Sequence, residues 1–179
     1  MSAGFNIVLA GVGGQGTLVA GKVLGAVAQK KGLDFKVSEV HGMSQRGGSV
    51  ITYFRMGEKV YSPVIENKMA DFILGFEQLE ALRWISLLKK SGKMIMNDQK
   101  IMPATVLSGA AEYPSDIKGK LIEAGLSGNN LMVLPAYKIA LKTGNVRAVN
   151  MVMIGALSNY TDISIEDWID SIKSVLPEK

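Results

Sequence analysis

Hydrophobic and polar positions along the chain follow two alternating patterns. Short apolar runs rich in β-branched residues predict buried strands; they lie at residues 5–10, 34–40, 49–55, 71–75, 93–97 and 131–134. Longer segments with apolar residues every three or four positions predict helices; they lie at residues 17–31, 77–90, 136–144, 146–160 and 165–176. This alternation predicts an α/β fold of one domain over residues 1–179, with a Rossmann-like, doubly wound, mainly parallel sheet and helices on both faces.

An antiparallel addition to this sheet is also expected. The strand at residues 49–55 is followed by a turn at 56–59 and by a short extended piece at 60–62. Two such pieces joined by a tight turn are typical of a β-hairpin. Residues 98–119, which contain Pro103 and Pro114, are predicted to form a long loop with short helical turns.

Three of the predicted helices carry further signals. The segment 77–90 begins with acidic residues and ends with Lys89 and Lys90, an order that complements the helix dipole. Residues 146–160 are apolar on nearly every side, so this helix is expected to be buried in the core or beneath a partner subunit. Ser164 is a candidate N-cap for the last helix.

A glycine motif, Gly11-x-Gly13-x-x-Gly16, lies between the first strand and the first helix. Glycines allow a ligand to approach the backbone, and the free amides and dipole of a helix N-terminus favour a pyrophosphate. The alternative is that the glycines only permit a tight turn from strand to helix. A dinucleotide site also needs an acidic residue about 20 positions further on, and Glu39 lies near that position. A free-standing NAD(P)-binding reductase is therefore the alternative function.

The loop at residues 41–48 concentrates unusual residues at the carboxyl end of a predicted strand, where open α/β sheets bind ligands. His41 is the only histidine of the chain and a candidate proton donor or acceptor, and Arg46 is suited to a carboxylate or phosphate. Both residues can instead satisfy backbone groups of a turn. One histidine supports neither a Ser/His/Asp triad nor a metal site.

Composition narrows the classes of function. The chain has no cysteine, which excludes disulfides, thiolate ligands of iron–sulfur clusters and a cysteine nucleophile within it. The net charge is +4, with basic residues scattered along the chain, so a nucleic-acid surface is not expected. The N-terminus lacks the basic start of a signal peptide, and the apolar runs are shorter than the roughly 20 residues of a membrane span. A soluble, cytoplasmic protein is expected.

These motifs resemble one known family. The segments at residues 11–16 and 38–50, together with the stretch 144–155, are similar to the gamma domain of pyruvate/2-oxoacid:ferredoxin oxidoreductases, and most similar to the beta subunit of the indolepyruvate type. The resemblance extends over nearly the whole chain. It implies an enzyme that oxidatively decarboxylates an arylpyruvate to an acyl-coenzyme A and passes electrons to ferredoxin. It also implies that the isolated chain is inactive.

The resemblance further implies a division of cofactors. Thiamine diphosphate and the iron–sulfur clusters belong to a large partner subunit, this chain binds no cofactor alone, and coenzyme A is a candidate ligand. Residues that would contact a pyrophosphate or the partner are Gly11, Gly13, Gly14, Gln15, Gly16 and Thr17. Residues that would line the subunit boundary near the catalytic cofactor are His41, Met43, Ser44, Gln45 and Arg46. A homodimer of the isolated chain is a further hypothesis.

Overall fold

The computed structural model describes residues 4–42 and 47–176. The strands are β1 (Asn6–Val12), β2 (Asp34–His41), β3 (Ser49–Gly57), β4 (Ala70–Gly75), β5 (Leu88–Asn97) and β6 (Leu131–Leu134). The α-helices are α1 (Thr17–Lys30), α2 (Gln78–Arg83), α3 (Ala104–Leu107), α4 (Ile117–Glu123), α5 (Ala136–Lys142), α6 (Val149–Ser158) and α7 (Ile165–Val175). Single 3₁₀ turns lie at Ile85–Leu87 and Val146–Ala148.

All six strands form one mixed sheet in the order β2-β3-β1-β4-β5-β6. The strands β1, β4, β5 and β6 are parallel to one another, whereas β3 runs antiparallel to both of its neighbours. The predicted α/β class, with a mainly parallel sheet and an antiparallel hairpin, is confirmed. Because β3 lies between β1 and β2, the first two strands of the chain point the same way but do not pair.

The strands of the hairpin differ from the prediction. Residues 60–62 form no strand, and β3 pairs instead with β2, from Asp34 opposite Gly57 to His41 opposite Val50. The Val60 amide donates to the Asp34 carboxylate at 2.9 Å. This bond holds the chain after β3 against the start of β2, so the segment does not turn back along β3.

The predicted helix at residues 77–90 is also too long. The helix α2 ends at Arg83, and β5 already begins at Leu88. Lys89 therefore pairs with Asp71 of β4 and does not cap a helix. Leu88 opposes Ala70 across a register shift between β4 and β5, and a side chain at Gly92 would meet main-chain oxygens of β4 at about 3 Å. Pairing with β4 overrides the local helical pattern.

Two apolar layers cover the sheet. One contains α1, α5, α6 and α7, and the other contains α2 and α4. Met153, Ile154 and Leu157 of α6 are fully buried in the first layer, so this helix is buried within the chain itself. Ser164 caps α7 as predicted, because its hydroxyl accepts a hydrogen bond from the Asp167 amide at 3.2 Å. None of the helices in the described ranges is long and apolar enough to cross a membrane.

Candidate functional site

The glycine loop and the second loop meet at one end of the sheet. Parallel strands β1, β4, β5 and β6 all finish at this carboxyl edge, where β2 also ends and β3 begins. The Gly13 amide donates to the Gly48 carbonyl at 2.9 Å and joins the two loops directly. Gly14 and Gly16 have positive φ angles of 101° and 78°, a backbone conformation that favours glycine. Both predicted loops are thus brought together.

Side-chain amides organise the carboxyl edge from within. The Gln15 side chain accepts from the Val12 amide at 2.8 Å and donates to the Phe76 carbonyl at 3.1 Å. Asn97, fully buried, donates to the same carbonyl at 3.1 Å and accepts from the Ala136 amide at 3.0 Å. Gln99 accepts from both Gln15 and Asn97. This network ties together the ends of β1, β4, β5 and β6.

The network changes the interpretation of Gln15. The sequence places Gln15 in the glycine motif as a candidate ligand residue, but its carbonyl and amino groups both bond within the chain. Asn97 and Gln99 were not recognised from the sequence. Their only signal is that polar residues follow a buried apolar strand at the edge where ligands bind in such folds.

Thr17, the first residue of α1, bonds to Glu39 of β2. Thr17 is buried, and its hydroxyl lies 3.4 Å from the Glu39 carboxylate, which also accepts from the Thr52 hydroxyl at 3.0 Å. In a dinucleotide site the acidic residue ends the strand next to β1. Here β3 occupies that place, so Glu39 lies one strand spacing of about 4.8 Å further away. The strand order therefore differs from that of a dinucleotide site, and the Glu39 carboxylate bonds to Thr17 and Thr52.

A cleft of about 390 Å³ opens beside the glycine loop, between α1, α5 and the start of α6. Its lining residues are Gly14, Gln15, Gly16, Val19, Gln99, Tyr137, Val146, Arg147, Val149 and Asn150. We call this space the amide cleft. Asn150 donates to the Gly16 carbonyl at 3.3 Å and so fixes α6 against the beginning of α1.

Hydrogen-bond donors face the amide cleft. Within the described residues, the main-chain amides of Gly16 and Val19, which both line the cleft, have no hydrogen-bond acceptor, as expected around the first turn of a helix. Arg147 adds a guanidinium group at the rim and forms no ion pair within the same ranges. Free amides, a helix dipole and a cation together favour a phosphate or carboxylate. The predicted pyrophosphate contacts of Gly11, Gly13, Gly14, Gly16 and Thr17 stay predictions.

A second pocket of about 350 Å³ lies on the opposite side of the glycine loop, beside α2 and α3. Two of its lining residues, Glu77 and Glu80, are 1% and 3% exposed. We call it the carboxylate pocket. From the sequence these residues were interpreted only as dipole-complementing charges, so this pocket was missed.

The buried carboxylates of this pocket are fully engaged with partners. Glu77 accepts from the Tyr113 hydroxyl, from the Ile101 amide at 3.1 Å and from the Glu80 amide at 3.0 Å. Glu80 accepts from the Ser49 hydroxyl at 2.5 Å and from Arg83 at 3.2 Å. Burial raises the pKa of Tyr113, and the hydrogen bond to Glu77 raises it further. These contacts fasten the start of β3 and the loop after β5 onto α2.

The remaining predicted site residues fall at the second loop. His41 is exposed at the end of β2, and its proton-transfer role stays a prediction. Met43, Ser44, Gln45 and Arg46 lie outside the described residues. Across residues 4–42 and 47–176, no group of three or more His, Cys, Asp or Glu side chains is arranged to hold a metal ion.

Comparison with known proteins identifies relatives over nearly the whole chain. The family model described as pyruvate ferredoxin/flavodoxin oxidoreductase matches residues 6–179. Indolepyruvate oxidoreductase subunit IorB of Thermococcus kodakarensis is 44% identical, over 96% of this chain and 84% of its own length. The protein of the same name from Pyrococcus horikoshii is 47% identical, over 98% of this chain and 88% of its own length.

Solved structures show the same fold. Subunit PORC of pyruvate oxidoreductase from Thermotoga maritima matches with a TM-score of 0.71 at 20% identity, over 98% of this chain and 87% of that one. The 2-oxoglutarate:ferredoxin oxidoreductase of Magnetococcus marinus, solved with 2-oxoglutarate, coenzyme A and succinyl-CoA bound, matches with a TM-score of 0.68 at 19% identity. That match covers 96% of this chain and 27% of the longer one.

The relatives also correct one prediction. A free-standing NAD(P)-binding reductase does not fit them, because the proteins that match at 44% and 47% identity are named as oxidoreductase subunits. The position of β3 and the hydrogen bonds of Glu39 agree with this correction.

Proposed function

We propose a function from the family to which this chain belongs, the pyruvate ferredoxin/flavodoxin oxidoreductase family. The chain is the small subunit of a cytoplasmic indolepyruvate:ferredoxin oxidoreductase. The observation that carries the proposal is the identity of 36% to 47% with four indolepyruvate oxidoreductase subunits, over at least 96% of this chain. Subunits of 2-oxoglutarate and pyruvate synthases match at only 27% to 29%. An arylpyruvate is therefore favoured over other 2-oxoacids.

The reaction joins an arylpyruvate to coenzyme A. The carboxylate leaves as carbon dioxide, the coenzyme A thiol releases its proton as its sulfur forms a thioester with the remaining acyl group, and the two electrons released pass to ferredoxin. We assign thiamine diphosphate and the iron–sulfur clusters to a large partner subunit, where thiamine diphosphate would supply the electron sink for decarboxylation. This chain has no cysteine and so no thiolate for a cluster. Its own contribution is a binding cleft and a contact surface.

The amide cleft is the proposed site for the phosphate groups of coenzyme A. Its support is the combination of free amides at the start of α1, the positive φ angles of Gly14 and Gly16, and the guanidinium of Arg147 at the rim. Backbone amides at a helix N-terminus bind phosphate without side-chain rearrangement. The buried Asn150 holds α6 at a fixed distance from that helix end.

The second loop is assigned to the boundary with the large subunit. His41 is exposed at the end of β2, and the Gly13–Gly48 bond places the end of the loop against the glycine motif. His41, Met43, Ser44, Gln45 and Arg46 are proposed to face the catalytic cofactor of the partner. No proton-transfer step is assigned to them.

Reconstitution tests the proposed function. The wild-type chain, purified alone, should not reduce ferredoxin with indolepyruvate and coenzyme A. Mixed with the purified large subunit, it should give indolepyruvate- and coenzyme A-dependent reduction of ferredoxin. Activity of the chain alone, or activity of the large subunit that is unaffected by adding this chain, would disprove the subunit assignment.

Arg147→Ala tests the ligand cleft within the same complex. Losing one charge-assisted contact to phosphate should raise the KM for coenzyme A about tenfold, which corresponds to about 1.4 kcal/mol, with the KM for indolepyruvate unchanged. Lys173→Ala, an exposed cation on α7, is the matched control. An unchanged KM for coenzyme A in Arg147→Ala would remove the phosphate from this cleft without affecting the subunit assignment.

A further inference from the structure

The helix α5 buries its small residues and exposes its large apolar ones. It buries its two alanines, Ala136 and Ala140, completely and leaves Tyr137, Ile139 and Leu141 exposed. A surface helix normally turns its large apolar residues inward. Here the small residues belong to the buried cluster that contains α6, and the larger apolar residues are exposed, Leu141 with 56% of its surface.

The exposed apolar residues continue beyond the helix. Tyr137 and Leu141 are four positions apart and so lie on one face of α5. Val146, in the following 3₁₀ turn, is also exposed and shares the rim of the amide cleft with Tyr137. These three residues form a row that we call the α5 patch. Large apolar side chains exposed close together in the chain are a feature of protein contact sites.

The surroundings of the α5 patch are positively charged. Lys138 and Lys142 lie on α5 beside the apolar row, and Arg147, whose guanidinium is assigned to the amide cleft, follows Val146 directly. None of the three forms an ion pair within residues 4–42 and 47–176. From residue 124 to residue 161 the sequence has no aspartate or glutamate. Asp98, whose amide donates to the Leu134 carbonyl, is an acidic residue at this end of the sheet.

We propose that the α5 patch is a docking surface for the large subunit, and that the partner presents an apolar area bordered by carboxylates. The proposal rests on the proposed function, because it names the part of this chain that the large subunit contacts. The unpaired cations around the apolar row would attract carboxylates of a partner and would repel a surface of like charge. A second copy of this chain would bring Lys138, Lys142 and Arg147 against basic residues of the same region.

Two variants test the apolar and the charged parts separately, in complexes of the full chain with the purified large subunit. Leu141→Asp removes apolar contact area and places a carboxylate in the row, so the Kd of the complex should rise at least about tenfold. Lys142→Glu should raise the Kd about fivefold at low salt, mainly through slower association, and this effect should shrink as ionic strength rises. Neither residue lines the amide cleft.

Matched controls lie on α7. Ile165 has the same 56% exposure as Leu141, and Lys173 is an exposed lysine of that helix. Ile165→Asp and Lys173→Glu should change the Kd by less than about twofold, as expected for surface residues outside an interface. Circular dichroism and thermal unfolding of all four variants should match the wild type, since each changed side chain is exposed.

Each other outcome overturns the inference. A wild-type Kd for Leu141→Asp, or equal weakening by the α7 controls, would show that the α5 patch is not the contact. Self-association of the wild-type chain that Leu141→Asp abolishes, with an unchanged Kd for the large subunit, would assign the patch to a second copy. In these cases the proposed function survives. If the wild-type chain does not bind the large subunit at all, the proposed function fails together with the inference.

Discussion

The two sides of the glycine loop use opposite chemistry at the same edge of the sheet. The amide cleft on the α1 side presents main-chain donors without an acceptor in the described chain, together with the cationic Arg147. The carboxylate pocket on the α2 side contains Glu77 and Glu80, whose oxygens already accept bonds from neighbouring hydroxyl, amide and guanidinium groups.

This difference indicates that the amide cleft binds a ligand, whereas the carboxylate pocket stabilises the fold. Unused donors beside a helix N-terminus can be satisfied by an anionic ligand, so the amide cleft is suited to bind. Buried carboxylates with all their partners in place stabilise the loops they touch and have little capacity left for a ligand. The two sides of the loop therefore have different roles, because within the described chain the carboxylates have their partners and the amides do not.

The largest expected effect is on the carboxylate pocket. Glu77→Ala leaves the Tyr113 hydroxyl and the amides of Ile101 and Glu80 without an acceptor, so the free energy of unfolding should fall by about 3 kcal/mol. Urea unfolding measures this loss. Glu112→Ala, at an exposed glutamate, should change stability by less than about 0.5 kcal/mol. If the two variants lost equal stability, the supporting role of the pocket would be wrong.

A smaller effect is expected where the glycine loop meets the amide cleft. Gly16→Ala should cost about 2 kcal/mol, because the positive φ strains alanine and its Cβ would lie 2.6 Å from the Asn150 amide nitrogen. Gly14→Ala has the same kind of strain but no neighbour within 4 Å, so it should cost only about 1 kcal/mol.

A double-mutant cycle isolates the steric part of the Gly16→Ala effect. Adding Asn150→Ala removes the side-chain amide atoms that the new Cβ would meet at 2.6 and 3.3 Å, so the combined loss of stability should be less than the sum of the two single losses. Strict additivity would mean that Asn150 does not restrict the loop. It would also weaken the view that α6 fixes the width of the amide cleft.

The smallest expected effect is the contribution of Tyr113 to the pH dependence of the free energy of unfolding. Its pKa is raised above 10.0 by burial and by the hydrogen bond to Glu77, so the folded state retains the phenol proton more strongly than the unfolded chain. The associated stability is complete below pH 10 and decreases as pH rises above that value. Between pH 10 and 12, unfolding of the wild type should therefore become more pH-dependent than unfolding of Tyr113→Phe. Parallel curves for the two proteins would exclude this linkage.

Most individual elements could be predicted from local patterns. The glycine motif and α1 begin as expected, the strand at β6 has the predicted bounds, and Ser164 caps α7. The hairpin partner and the start of β5 could not be predicted in this way. Both depend on pairing between residues far apart in the chain, such as Asp34 with Gly57 and Ala70 with Leu88, and long-range pairing overrides local propensity.

The candidate site was predictable only in part, for the same reason. Both loops were located because glycine spacing and the end of a strand are visible along the chain. The partners of Glu77 and Glu80, and the placement of Arg147 beside α1, follow from loops that meet only after the sheet has formed.

The amino-acid sequence alone determined the α/β class, the absence of any thiolate ligand and the family, because these properties follow from residue types and their spacing. Tertiary structure decided three further features: β3 separates β1 from β2, the buried carboxylates are satisfied, and α5 turns its leucine and tyrosine outward. Each of these depends on which surfaces pack together, and packing is a property of distant segments in contact.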